Sequence, residues 1–240
     1  MGKNHVKNAG KSQGGRKMKK NENTGKRLLL YFGGLLIMTL GVAISVKSDL
    51  GVTPISSIPY TLTVVTGMEL GIATMLFSVA VVLLQIVMLR KEYKIINLLQ
   101  IPIGIIFGLF LTFCGNLMNF FPDPPDMVLQ FLLMLLSTVF VAFGVFLYVP
   151  TGFIPLAPEG FLVAASKLTK LKFGTVKVIC DVLMVIISLI TCLIAIKSLG
   201  SVGIGTIVAA ILVGTEVKLF TKWLGDKRDR FIGRKQSIKL

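Results

Sequence analysis

Long apolar stretches dominate the chain. Six of them, at 28–46, 72–89, 95–117, 128–149, 175–196 and 202–219, match the roughly 20 residues that a membrane-spanning helix needs. Two more are short and broken. LGVTPISSIPYTLTVV runs from Leu50 to Val65, and TGFIPLAPEGFLVAA from Thr151 to Ala165. Gly51 and Pro54 of the first align with Gly152 and Pro155 of the second. Each broken segment follows one long apolar stretch and precedes two more. The pattern predicts an all-α polytopic protein with six spanning helices, two Pro/Gly-broken half-helices and a two-fold internal repeat. Interrupted segments at matching places in two halves point to a transporter binding site near the membrane midplane. The plainer alternative is a pair of ordinary helices kinked by proline.

Loop charge separates a re-entrant reading of the broken pair from a spanning one. Basic loops stay on the cytoplasmic side. With the N-terminal tail inside and the broken segments re-entrant, RKEYK at 90–94 falls inside and FPDPPD at 121–126 outside. The stretch carrying Lys167, Lys170, Lys172 and Lys177 then falls inside, as does the basic C-terminus. If both segments spanned, RKEYK would lie outside and FPDPPD inside, against the rule. The re-entrant arrangement gives the halves opposite orientations, an inverted repeat of 28–120 and 127–219. Further matched positions support duplication: Leu70-Gly71 with Phe173-Gly174, and Gly108 with Gly214. Gly104 and Gly108 form a GxxxG, which suits close helix packing.

Composition agrees. The chain of 240 residues is 54% hydrophobic with mean hydropathy +0.82, outside the range of ordinary soluble domains. The net charge of +15 sits in the tails: nine Lys/Arg and one Glu in 1–27, eight Lys/Arg and two Asp in 218–240. Tails beside spanning segments, without interleaved aromatics, read as anchors to an anionic leaflet and not as a nucleic-acid surface. Residues 1–27 are expected to be a disordered basic cytoplasmic tail and 220–240 a basic cytoplasmic tail, flanking one membrane domain at 28–219. Both termini would lie in the cytoplasm of a bacterial plasma-membrane protein.

Three cysteines, Cys114, Cys180 and Cys192, lie in apolar runs without CxxC spacing, and the single histidine is His5. That argues against a disulfide framework or a metal site, and no cofactor is expected. No P-loop, HExxH or Ser-His-Asp set occurs, so an enzyme is the least expected class.

Charge inside a membrane is costly, roughly 2.5–3.5 kcal/mol at a helix centre, so such residues are candidates for function. Glu159 lies within IPLAPEGF, between the donor-free Pro155 and Pro158 and the permissive Gly160. It could meet a cation or proton, or cap the first turn of a half-helix. Asp181 follows Lys177 by one turn, so the two can pair; its repeat mate is Ser78. In the first broken segment, Pro54 is followed by Ser56, Ser57 and Tyr60, whose hydroxyls would bind a solute or satisfy the broken backbone. Gln100 reads as helix–helix glue, and Glu216, with Lys218 nearby, as lying toward the cytoplasmic boundary.

With those stretches in view, LGVTPISSIPYTL, PLAPEGF, KFGTVKVICD and GIGTIVAAILVG resemble the YczE/YyaS/YitT family of bacterial membrane proteins over roughly 28–219. The matching residues are Pro155, Pro158, Glu159, Gly160, Gly174, Lys177 and Asp181. The resemblance implies a plasma-membrane protein and supplies no established activity; the C-terminal domain of some YitT-type members has no counterpart after Leu219.

The function expected from the sequence is a secondary transporter of a small solute or ion, bound between the half-helices. The alternatives are a substrate-binding membrane subunit of an importer driven by a partner ATPase, and a non-transporting accessory or sensor protein. A homo-oligomer stays open.

Overall fold

The computed structural model describes residues 23–233. They form eight α-helices: α1 Thr24–Ser48, α2 Pro54–Thr66, α3 Leu70–Leu89, α4 Gln100–Met118, α5 Met127–Tyr148, α6 Ala157–Thr169, α7 Phe173–Ile196 and α8 Ile204–Phe231. Short 3₁₀ turns at Arg90–Glu92, Ile95–Leu99 and Val149–Thr151 join them, and no strand occurs among the described residues. Six helices (all but α2 and α6) are long and apolar enough to cross a membrane. The protein is an all-α, multi-pass membrane protein.

The expected disorder up to residue 27 needs correction. Part of the N-terminal tail, 1–22, lies outside the described residues, but Thr24 to Arg27 already belong to α1. Arg27 donates to the Thr151 carbonyl and stacks on Phe153, which anchors that first turn. At the other end α8 continues past Leu219 to Phe231. Arg228 donates to the Phe146 carbonyl and lies over the Phe146 ring, so tertiary contacts hold this polar turn in place.

Close backbone approach organises the packing. α1 lies along α5. A Cβ on Gly34 would meet the Gly144 carbonyl at 2.9 Å, and one on Gly41 would meet the Val141 nitrogen at 2.7 Å. As the α1 number rises the α5 number falls, so these helices run antiparallel. Tyr31, Leu35, Met38 and Val42 of α1 join Phe107, Leu111, Val141 and Tyr148 in the main buried cluster. Around this pair, α4 packs on α1 and α8 on α5; α2 packs on α7 and α6 on α3; α2 touches α3 and α6 touches α7. α3 also lies along α4, whereas α7 and α8 make no contact of comparable extent.

The short helices start deep. Ala157, the first residue of α6, packs with Val81 and Val82 of α3. Ser188, well inside α7, donates to Ser57 in the first turns of α2, and Cys192 lies against Thr61. α2 and α7 therefore run parallel. The left-handed C-caps, Gly67 (φ 74°) and Lys170 (φ 58°), fall at the same point of the two 13-residue helices.

Candidate substrate site at the broken helices

The first turn of α6 explains its sequence. Leu156 is the N-cap, with the extended torsions (φ −59°, ψ 155°) usual for that position. Pro158 falls in the first turn, where a missing N–H costs nothing. Glu159 completes that turn, and its carboxylate faces the Leu156 backbone N–H, the reach of a capping-box acid. Negative charge is favoured there by the helix dipole. Lys177 of α7 and Tyr31 of α1 lie within Coulomb range of Glu159. Glu159 is half-buried.

Beneath this turn is a buried amide cluster. Gln85 Nε2 donates to Gln100 Oε1 at 2.9 Å and to the Ala157 carbonyl at 3.1 Å. Both glutamines are 1% exposed. Gly160 lies directly on the Gln100 amide, which a Cβ would strike. Gln100 and Gly160 thus meet directly, and Gln85, which sequence reasoning missed, ties Gln100 to the start of α6. The signal was present: an amide inside an apolar span calls for a partner.

The α2 hydroxyls are largely committed. Ser57 donates to the Pro54 carbonyl at 2.7 Å and accepts from Ser188 at 3.1 Å. Thr53 donates to Ser56 at 3.1 Å. Tyr60 is half-buried within Coulomb range of Asp49. Ser188 is a second residue missed by sequence reasoning. Lys177 and Asp181 form an ion pair one helical turn apart, with Asp181 Oδ1 buried and without a hydrogen-bond partner among the described residues. The candidates therefore fall into two groups. Glu159, Pro155, Pro158, Gly160, Gln100 and Lys177 gather at α6; Pro54, Ser56, Ser57 and Tyr60 stay on α2.

Pro54 opens α2, whereas Pro155 precedes α6, which opens at Ala157. The structural partner of Ser56 is accordingly Glu159, two residues out of step with the proline alignment. The connection into α6 is longer than the one into α2, which absorbs the difference. Glu216 also departs from expectation. It sits beside Thr138, midway along α5, and not toward a membrane boundary. Among the described residues no group of three His, Cys, Asp or Glu side chains could hold a metal ion.

A family model matches residues 25–222. The chain belongs to the family of unknown function DUF6198. No curated protein and no solved structure matches it. The DUF6198 match covers all eight helices but for the first residue of α1 and the last turns of α8, so the α6 turn and the amide cluster both lie within the family region.

A separate cavity of about 550 Å³ lies between α1, α3 and α4. Lys47, Asp49, Glu69, Asn116, Asn119 and Asp123 line it, and Lys47 pairs with Asp123 across its mouth. The ends of α1 and α4 and the start of α3 therefore share one face of the molecule. Lys167 pairs with Glu92, which joins the end of α6 to the turn after α3.

Proposed function

We propose that this protein is a small-solute secondary transporter of the plasma membrane, built as an inverted repeat whose α2 and α6 are re-entrant. The observation that carries the reading is Glu159. It is a half-buried carboxylate at the start of a short helix that begins deep in the fold, within Coulomb range of Lys177 and Tyr31. A transporter needs such a group, because a coupling cation or proton exchanges only with a site that is both buried and reachable.

Topology supports the reading. With α1 and α5 antiparallel, an odd number of crossings separates their starts, which fits α1, α3 and α4 crossing and α2 returning to the face it left. Glu69 lining the same cavity as Lys47 and Asp123 agrees with this. Contacts also pair across the halves: α1–α4 with α5–α8, α2–α7 with α6–α3, and α2–α3 with α6–α7. We also infer kinship with the YczE/YyaS/YitT proteins, on the PLAPEGF and KFGTVKVICD stretches.

In this scheme Glu159 holds the coupling ion while the half-helix N-terminus and Gln85–Gln100 fix the backbone around it. Lys177, paired with Asp181, sets the local charge. The solute binds at the crevice between the half-helices, and its arrival changes which face the crevice serves.

The test is uptake into proteoliposomes of radiolabelled amino acid, sugar and carboxylate pools under an imposed proton or sodium gradient. Gradient-dependent accumulation that Glu159→Gln abolishes supports the proposal. Accumulation unchanged in Glu159→Gln removes Glu159 from coupling, and no accumulation in any pool turns the reading toward an accessory protein.

A further inference from the structure

Glu216 is a second carboxylate midway along the helical body, half-buried, and remote in role from the α6 turn. It projects from α8 toward Thr138, which is fully buried and lies ten residues from the end of α5 at Tyr148. At 1.5 Å per residue this is roughly 15 Å from either end of that helix. Thr138 Oγ1 lies 2.8 Å from the Leu135 carbonyl and 3.1 Å from Glu216 Oε1.

Those two contacts cannot both be made by an ionised glutamate. A threonine hydroxyl has one hydrogen, a carbonyl only accepts, and a carboxylate only accepts. Either the hydrogen goes to Glu216 or it goes back to the helix carbonyl, the shorter contact and the one that Ser137 and Thr39 make. Ser137 donates to the Met134 carbonyl at 2.6 Å, and Thr39 to the Leu36 carbonyl at 2.8 Å, the same backward step along the helix. With Thr138 doing likewise, its contact to Glu216 is a hydrogen bond only when Glu216 supplies the hydrogen. The other oxygen, Oε2, is buried and takes no hydrogen bond from any described residue. A buried carboxylate oxygen without donors is costly, and a neutral acid much less so.

Among the described residues no cation offsets a charge there. α5 carries no charged residue, and its one tyrosine, Tyr148, packs on Tyr31. α2, which also touches α8, has only Tyr60, on the Asp49 side. On α8 itself, Lys218 is two positions away and so points to a different face. Arg228 is three turns on and engaged with Asp229 and Phe146.

We propose that Glu216 and Thr138 form a proton-binding site in the middle of the membrane, separate from Glu159. The proton comes from water and ends on a carboxyl oxygen of Glu216. The acid O–H donates to Thr138 Oγ1, and Thr138 donates to the Leu135 carbonyl. Because Oε2 is sealed between helices, the proton exchanges when α5 and α8 part. The site stands on its own geometry and does not require that the protein transports anything.

Infrared difference spectroscopy of the full chain in lipid at neutral pH tests it. The spectrum of wild type minus Glu216→Gln should contain a protonated-carboxyl C=O band, which Thr138→Val shifts and which is the same in a Glu159→Gln background. Glu216→Gln should keep the wild-type thermal midpoint, since its amide can donate to Thr138 as the acid does. A difference spectrum with only ionised-carboxylate bands, or a Gln variant that no longer folds, would overturn the proposal. Loss of transport coupling in Glu159→Gln with this band intact would leave the proton site standing, and the reverse result would sink it alone.

Discussion

Gly71 and Gly108 bring α3 and α4 into backbone contact: a Cβ on Gly71 would sit 2.5 Å from the Gly108 carbonyl, and one on Gly108 would sit 2.7 Å from the Gly71 carbonyl. Their sequence mates, Gly174 and Gly214, meet nothing within 4 Å. The first expected outcome follows from this contrast. Gly71→Ala also drives a methyl into Thr112 and should destabilise by about 1–3 kcal/mol, the usual cost of overpacking. Gly174→Ala has open space and gains helix propensity, so it should be neutral or stabilising by up to about 1 kcal/mol. Thermal midpoints of the two variants in the same detergent decide it; a Gly71→Ala protein as stable as Gly174→Ala would show that the α3–α4 contact yields.

The same contrast bears on the transport reading. If the halves exchange arrangements, α7 and α8 close in the other state much as α3 and α4 do here. Val178 of α7 and Ile211 of α8 are exposed. With the three native cysteines replaced, the pair Val178→Cys and Gly214→Cys should cross-link within one chain under mild oxidation. Adding Gly174→Leu, which has room in the present arrangement, should reduce the link. A link between two chains would instead make the α7–α8 face a dimer contact, and no link would mean the gap stays open.

Hydropathy located the spans because burial in lipid is what long apolar runs report. It could not locate the end of α8, since Arg228 is held by Phe146, a residue far away in sequence. The short helices α2 and α6 were legible as proline breaks, but Pro54 and Pro155 do not hold the same place relative to the helix starts. One proline starts a helix and the other only prepares the chain for one. Within the site, the Lys177–Asp181 pair was readable from spacing alone. The Ser57–Ser188 bond was not, because its partners are 131 residues apart. Glu216 was misjudged for a related reason: its neighbour Lys218 is near in sequence, and its real partner Thr138 is near only in space.

Gln85 and Gln100 should behave as one unit. Removing either leaves the other's buried amide short of a partner, at about 1–3 kcal/mol. Replacing both with leucine removes the orphan, so the double variant should lose less than the two single variants combined. A double-mutant cycle on thermal unfolding measures the coupling. Strict additivity would mean that the 2.9 Å contact contributes nothing in the folded protein.

The re-entrant reading of α2 comes down to which face Glu69 occupies. Glu69 precedes α3 and lines the cavity that also contains Lys47 and Asp123, so the chain between Ser48 and Leu70 should begin and end on one face. With the basic termini inside, that face is the external one. Glu69→Cys, in a background without native cysteines, should therefore react with a membrane-impermeant thiol reagent on intact cells. Asp123→Cys should react in parallel, and Glu92→Cys only after permeabilisation. If Glu69→Cys needed permeabilisation while Asp123→Cys did not, α2 would cross the membrane. The repeats would then lose their inverted relation, and Glu159 would no longer face a matching half-helix across the midplane.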